Sequence, residues 1–390
     1  MKLKRVTLAA IVLLVGGFAV ALASEQKIDA ATDAWLRQFK LGPYQEPTLY
    51  ELALKEGEVT VYAYTSRIHD VAKSFMQRYP GITVHVYDMD TPEIISKVLA
   101  EQAAGRYEAD LIWVKDPAVA YFELYVPGII FGWIPPHVAH LVPDELKEPL
   151  LRIHHVSLSV WFYNTEVYSE SPITNIWDVT RPEWRGRVIL PDIVLLTEYI
   201  ATFASIIYNA DAMAAAYERA FGQPIVLSPG VENAGYEWIK RVLENDAIIV
   251  RTTHEVTNAI GAPGQKSPPV GLSAFSRLRD MERNPDLKFG AAYGMTDPVF
   301  GFLHTNVHGF VNRAPHPNAA KLFFQFQMGD DCQFTGSKPY QVLGNWLVRV
   351  DAPVPSGAPK LSEISYWDVD SGFVWDEYTK IVDFWMLHRW

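Results

Sequence analysis

The chain has 390 residues, of which 49% are hydrophobic and 20% are charged, and its formal net charge is −11. This composition is that of an ordinary globular protein, and the length suits two domains that each bury a core. The acidic balance argues against a general nucleic-acid-binding protein, which needs a basic face, so we expect no nucleic-acid partner.

The N-terminus has the pattern of an export signal. Lys2, Lys4 and Arg5 precede an apolar run over residues 6–22, which ends in the sequence Ala-Leu-Ala at 21–23. A basic segment, an apolar segment and small residues before the cut predict a secretory signal peptide over 1–23, although an uncleaved anchor is the alternative. The single cysteine, Cys332, cannot form an internal disulfide or accept a lipid near the N-terminus. We therefore expect a periplasmic protein.

Alternating strand and helix patterns begin after a polar N-terminal extension over residues 24–47. β-Branched and aromatic residues predict strands at 59–64, 82–87 and 109–114, and apolar residues at helical spacing predict helices at 68–79 and 94–99 between them. This order predicts parallel βαβ units in an open, helix-covered sheet. Ligands bind such sheets beyond the carboxyl ends of the strands, which points to Thr65, Ser66, Arg67 and Lys115.

A second α/β series follows. Strands are predicted at 157–163, 188–190 and 247–250, and helices at 198–208, 238–243 and 319–328, with a further helix at 374–387 in an aromatic C-terminal tail. No internal repeat is evident.

Signatures of catalysis and of metal binding do not appear in the sequence. Residues 261–267 (GAPGQKS) lack the spacing of a phosphate-binding loop, and His154 and His155 are adjacent, so in a strand they point to opposite faces. We therefore expect no catalytic residues, no metal and no cofactor. A secreted hydrolase using His254 and Glu255 is the alternative from another class.

Four segments in the same order resemble extracellular solute-binding proteins of ABC importers. They are residues 56–62 (EGEVTVY), residues 160–165 (VWFYNT), residues 175–188 (which contain NIWDV at 175–179 and PEWRGRV at 182–188), and residues 314–323 (APHPNAAKLF). The chain most resembles the branch that holds ferric-iron-binding proteins and relatives for phosphorylated sugars, phosphonates, polyamines and thiamine. The resemblance implies an α/β, two-lobed periplasmic-binding-protein type II fold, with two hinge crossings and a ligand cleft between the lobes.

The resemblance also implies a division of the chain. We expect the first lobe over residues 48–157 and 301–350 and the second lobe over 158–300, with hinge crossings near 156–160 and 293–302. The aromatic tail over residues 351–390 lies beyond the resemblance; its helix-like spacing predicts that it packs on the first lobe, and a contact surface for a partner is the alternative. Closure around a ligand would be a hinge motion driven by contacts that exist only in the closed form.

The iron binders of this family use a histidine, a glutamate and a tyrosine pair, and these positions fall on other residues here. The histidine position falls on Ser66, the glutamate position on Lys115, and the tyrosine pair on Thr253 and His254. Because an ammonium replaces a carboxylate, direct binding of ferric iron is disfavoured.

The remaining residues favour an organic anion, phosphorylated or carboxylated. Arg67 and Lys115 offer positive charge, and hydroxyl groups come from both lobes. Asp192 and Glu198 argue the other way, since carboxylates in a cleft favour a cation such as an amine. The candidate ligand-binding residues are Thr65, Ser66, Arg67, Lys115, Asp192, Thr197, Thr252, Thr253 and His254.

The predicted role is reversible capture of a small ligand and delivery of it to the membrane permease of an ABC importer. We expect a monomer that performs no chemistry. A sensor built on the same fold is a further alternative, and so is a binding protein for ferric iron or a cationic amine.

Overall fold

A computed structural model describes residues 29–39, 48–147, 155–291, 297–329 and 333–389. The predicted signal peptide, most of the extension, His154, Cys332 and the part of the second crossing at 293–296 lie outside these residues. The chain forms two compact units, one ending at Leu52 and one from Ala53 to Trp390. Apart from residues 48–52, both predicted lobes lie in the second unit. No helix in the described ranges is both apolar enough and long enough to cross a bilayer.

The regular elements alternate along the chain as the patterns predict. The strands are β1 Glu58–Ala63, β2 Thr83–Asp88, β3 Leu111–Val114, β4 Ile130–Phe131, β5 His155–Asn164, β6 Val188–Pro191, β7 Ile248–Val250, β8 Val270–Ala274, β9 Phe289–Ala291, β10 Gly301–His304, β11 Val307–Val311, β12 Asn345–Leu347 and β13 Tyr366–Trp367. The helices are α1 Ala30–Phe39, α2 Leu49–Glu56, α3 Ile68–Arg78, α4 Thr91–Ala103, α5 Pro117–Val119, α6 Ile200–Tyr208, α7 Ala210–Phe221, α8 Ala234–Glu244, α9 Thr253–Gly261, α10 Asp280–Arg283, α11 Pro317–Gln327 and α12 Ser371–His388.

The first lobe is built on a five-stranded sheet in the order β2-β1-β3-β11-β4. β1 pairs in parallel with β2 and with β3, and α3 and α4 make the two crossovers between them. The helical spacing of apolar residues in α3 reflects the face that packs in the core, because Ile68, Val71 and Phe75 are all buried. The predicted βαβαβ arrangement is therefore confirmed.

The second lobe is built on a sheet in which β5 is the central strand. Its main path runs β13-β10-β5-β8-β6-β7, and β12 and β9 also pair with β5. β6 is parallel to both β7 and β8, so the carboxyl ends of these three strands meet at one edge. All four residues of β6 are buried, as expected for a strand covered on both faces.

The chain returns to the first lobe later than expected. β10 pairs with β5, so it belongs to the second sheet, whereas β11 pairs with β3 in the first. The crossing therefore lies at Thr305 and Asn306, not within 293–302, and the expected boundary at residue 301 falls too early. β12 also joins the second sheet through β5, although it lies within the range assigned to the first lobe.

The C-terminal helix α12 packs mainly on the second lobe, which corrects the expectation that the tail packs on the first lobe. Its Val374, Ile381 and Trp385 are buried in the core of the second lobe, and the ring of Trp385 lies 5.0 Å from that of Phe203. The reason is α6, which is apolar almost all round and has seven of its nine residues buried. Such a helix needs cover on every side, and α12 supplies part of it.

Candidate functional site

The two lobes present the carboxyl ends of parallel strands to a shared cleft of about 410 Å³. From the first lobe, Thr65, Ser66 and Arg67 follow β1, and Lys115 follows β3. From the second lobe, α9 begins shortly after β7, and the helical turn Phe275–Arg279 follows β8 directly. This geometry agrees with the strand-edge site expected from the sequence.

Positive charge predominates on the walls of this cleft. Its cationic lining residues are Arg67, Lys115, Arg277, Arg279 and Arg283. Only two carboxylates, those of Asp88 and Glu198, line it among the described residues. The cleft is therefore basic although the whole chain carries a charge of −11, and it would attract an anion.

Arg277 is held in place by an ion-pair network on the second lobe. Its Nη1 donates to Nε2 of His254 at 2.6 Å, and Nδ1 of His254 lies 3.2 Å from the carboxylate of Asp280. In this arrangement Nε2 of His254 accepts and Nδ1 donates, so both ring nitrogens are occupied. His254 thus orients the guanidinium of Arg277 and leaves it to face the cleft.

Two arginines of this lobe keep unused donors. Nε of Arg277, and Nε and Nη1 of Arg279, are buried and have no hydrogen-bond partner in the part of the chain that the structure describes. A buried guanidinium nitrogen without an acceptor is costly, and a phosphate or carboxylate would satisfy several of them at once. The two side chains therefore have the character of an anion site.

On the first lobe, Arg67 lies with its guanidinium 5.4 Å from the centre of the Tyr340 ring. Burial lowers the pKa of Arg67, although the group stays charged at physiological pH. Tyr340 itself stacks on His155 with ring centres 4.8 Å apart. Arg67 therefore lies against this aromatic pair, and the charges of Arg277 and Arg283 lower its pKa further.

An ion pair also crosses the cleft between the lobes. Nζ of Lys115 lies 3.0 Å from Oε1 of Glu198, and it also lies 4.8 Å from the centre of the Tyr64 ring. Burial would raise the pKa of Glu198, but the charge and the hydrogen bond of Lys115 outweigh it, so the pKa is lowered. Lys115 is thus neutralised by a residue of the protein.

The cleft also carries neutral polar groups. Nε2 of His304 lies within hydrogen-bonding distance of the hydroxyls of Ser159 and Thr202, and burial lowers the pKa of His304 to about 4. The ring is therefore neutral near pH 7. If the two hydroxyls donate to Nε2, Nδ1 carries the proton. Asn306 and Asn345 line the same cleft and add amide donors and acceptors.

The structure brings six of the nine predicted residues together. Thr65, Ser66, Arg67, Lys115, Thr253 and His254 all line the cleft.

The other three predicted residues do not line it and have other partners. Thr252 caps α9 by accepting from the backbone N–H of Glu255. Asp192 faces Arg389 of the tail at 3.4 Å. Thr197 lies behind Glu198, where it faces α12. Thr252 shows that a short polar side chain near a strand end can serve the backbone as readily as a ligand.

Sequence reasoning missed the arginines of the second lobe. Arg277, Arg279 and Arg283 occur within seven residues of an acidic chain, directly after a strand, β8, that was not predicted. That local concentration of positive charge was the available signal. Tyr340 and Asn345 come from distant segments and gave no signal. No group of three or more metal-ligating His, Cys, Asp or Glu side chains occurs among the described residues.

Comparison with known proteins shows the fold. The sequence matches no protein-family model and no curated protein. Many solved structures are similar, and three of them are described here. Iron-bound HitA from Pseudomonas aeruginosa has a TM-score of 0.64 at 14% identity, with 84% of this chain and 98% of that one covered.

The second is IdiA (FutA) from Trichodesmium in complex with iron and citrate, with a TM-score of 0.63 at 15% identity and coverage of 86% and 100%. The third is the periplasmic binding protein AfuA from Actinobacillus pleuropneumoniae with fructose-6-phosphate bound, with a TM-score of 0.60 at 17% identity and coverage of 85% and 98%. The chain therefore has the two-lobed α/β fold of periplasmic substrate-binding proteins.

Proposed function

We propose that this protein is the periplasmic substrate-binding component of an ABC-type importer, and that its cleft binds a small organic anion. The fold supports the first part, because the similar structures include periplasmic binding proteins. The observation that carries the second part is the set of unused donors on Arg277 and Arg279 in a cleft with five cationic side chains.

The anion is a phosphorylated or carboxylated compound of small size. A guanidinium group can bind two oxygens of a phosphate or carboxylate at once, and Arg67 approaches from the opposite lobe. A ligand held by both lobes favours the closed form, because only that form makes both sets of contacts. His304, Asn306 and Asn345 would bind the uncharged part of the molecule.

Ferric iron is the second candidate. Two of the similar structures contain iron, one of them together with citrate. Three phenols, those of Tyr64, Tyr199 and Tyr340, line the cleft, and burial raises the pKa of each. A raised pKa opposes the phenolate form that ferric iron prefers, and the basic walls repel a bare cation. Iron would therefore be bound with an accompanying anion.

The test begins with protein that is expressed in a cell able to export it. The protein is then purified without being unfolded, so that any bound ligand is kept. Native mass spectrometry, followed by denaturing release, should yield a phosphate- or carboxylate-bearing compound. That compound should rebind in calorimetry, and it should be recovered unchanged after long incubation. Recovery of a modified product would instead support the hydrolase, and release of iron without an anion, or of a cationic amine, would contradict the anion site.

One variant and a matched control locate the binding. Arg279→Ala should weaken binding of the recovered anion by about tenfold or more, since a charge-assisted bidentate contact is lost. Arg185→Ala removes an arginine that pairs with Asp246 on the surface, away from the cleft, and should leave the affinity unchanged. Equal losses in the two variants would mean that overall charge, and not this site, determines binding.

A further inference from the structure

A second cavity of about 510 Å³ lies between the first lobe and the C-terminal helix α12. Lys115 and Glu198 line the cleft, whereas the neighbouring residues Asp116 and Thr197 line this second cavity. No Lys or Arg is found among its described lining residues. The two cavities therefore have opposite charge, although they share the turn after β3.

The wall contributed by α12 is aromatic. The indole of Trp375 stacks on the ring of Phe122 with centres 4.9 Å apart and planes 21° apart, which fixes its orientation. Tyr378 lies one turn further along the helix and lines the same cavity. Burial, and then the charge of Asp116, raise the pKa of Tyr378 to about 12, so the phenol is neutral at physiological pH.

Within the described residues, the buried carboxylate of Asp116 has no cationic partner. Its side chain is 5% exposed, and one oxygen accepts from the backbone N–H of Val119 at 3.2 Å. No lysine, arginine or histidine in the described ranges forms an ion pair with it. Burial raises its pKa to about 6, and the carboxylates of Glu198 and Glu123 add to this effect. A buried charge of this kind is costly until a cation pairs with it.

We propose that this cavity binds a small organic ammonium ion, with Asp116 as its counter-ion and the ring of Trp375 as its aromatic wall. A cation that has left water is attracted both to a buried carboxylate and to the face of an indole. Glu123 at the exposed rim adds negative charge at the entrance. A hard metal ion fits less well, because the described residues gather no group of three or more His, Cys, Asp or Glu side chains at this cavity. This site is separate from the anion cleft and does not depend on the ligand proposed there.

The experiment uses choline as the probe and 3,3-dimethylbutanol, its uncharged analogue, as the comparison. Calorimetry or saturation-transfer NMR on the intact protein should detect choline and show binding of the neutral analogue that is at least about tenfold weaker. Asp116→Asn should weaken choline binding by about tenfold or more. Trp375→Leu should weaken it by about fivefold, because the aromatic face is lost while apolar volume is kept.

Glu183→Gln provides the matched control, since Glu183 is exposed and lines neither the anion cleft nor this cavity. We expect it to leave the affinity for choline unchanged. Thermal unfolding and anion binding of each variant establish that the fold is intact, and Asp116→Asn should still bind the anion. Absence of choline binding at millimolar concentration would overturn the proposal. Binding that survives Asp116→Asn, or that Glu183→Gln abolishes, would overturn it as well.

Discussion

The ammonium group of Lys115 lies 3.0 Å from a carboxylate oxygen of Glu198, and this ion pair joins the first lobe to the second across the cleft. Glu198 is the more buried partner, with 13% of its side chain exposed against 37% for Lys115. Since the carboxylate of Glu198 neutralises Lys115, an anionic ligand must compete with Glu198 for the ammonium group of Lys115. The pair therefore influences how strongly the cleft attracts an anion.

Neutralising Glu198 should tighten the binding of an anion. Glu198→Gln leaves Lys115 free for the ligand and removes a like charge from the cleft, so we expect the affinity to rise by about three- to tenfold. Lys115→Met should lower it by a similar factor. Calorimetry with the anion recovered from the purified protein measures both effects.

The control for this pair is Glu183→Gln, which neutralises an exposed carboxylate that does not line the cleft. It should leave the affinity as it is in the unaltered protein. If Glu198→Gln weakens binding as Lys115→Met does, the carboxylate itself contacts the ligand, and the ligand carries a donor or a positive charge at that end.

His254 should act on binding through Arg277. Its ring accepts from Arg277 and donates to Asp280, and a glutamine can make the same two hydrogen bonds through its amide. His254→Ala should therefore weaken anion binding by about three- to tenfold, whereas His254→Gln should keep most of the affinity. Equal losses in the two variants would indicate that the imidazole contacts the ligand directly.

The first lobe could be predicted closely from the sequence because its elements are local and regular. The predicted strand at 59–64 corresponds to β1 Glu58–Ala63, and the helix at 68–79 corresponds to α3 Ile68–Arg78. The residues that follow these strands, Arg67 and Lys115, lie in the cleft because parallel strands end at one edge. Topology alone sufficed for this half of the site.

The second half of the site depends on contacts that no local pattern encodes. β8 is a short strand with glycine and serine, so the arginines that follow it were not assigned to a strand end. Tyr340 reaches the cleft from a helical turn that packs on α3 across the first lobe. Asp192 is the opposite case, because it was predicted to bind the ligand but does not line the cleft. Its side chain instead faces Arg389, which lies 197 residues further along the chain.

The C-terminal helix should contribute strongly to the stability of the second lobe. Trp385 is completely buried and packs against Phe203, so Trp385→Ala should lower the free energy of unfolding by about 3–5 kcal/mol. Leu387→Ala, on the same helix but 73% exposed, should change it by about 0.5 kcal/mol or less. Denaturant unfolding followed by circular dichroism compares the two. A small effect at Trp385 would mean that the helix folds independently of the lobe.

A buried histidine should make the first lobe sensitive to acid. His308 stacks on Phe324 with ring centres 4.0 Å apart, and neither ring nitrogen has a hydrogen-bond partner within the described residues. Burial lowers its pKa from an ordinary 6.5 to about 3. Below pH 6.5 the unfolded chain therefore takes up a proton that the folded chain refuses. The free energy of unfolding then falls with decreasing pH down to about pH 3, by up to about 1.4 kcal/mol per pH unit.

His308→Leu should remove this share of the pH dependence. Relative to the unaltered protein, the variant should gain about 2 kcal/mol between pH 7 and pH 5, because its leucine takes up no proton in either state. Urea unfolding at a series of pH values measures the gain. His69→Leu removes an exposed histidine of α3 and serves as the control, with no such gain expected. An unchanged slope in His308→Leu would mean that the folded protein admits the proton at position 308, by opening locally or by admitting water beside the ring.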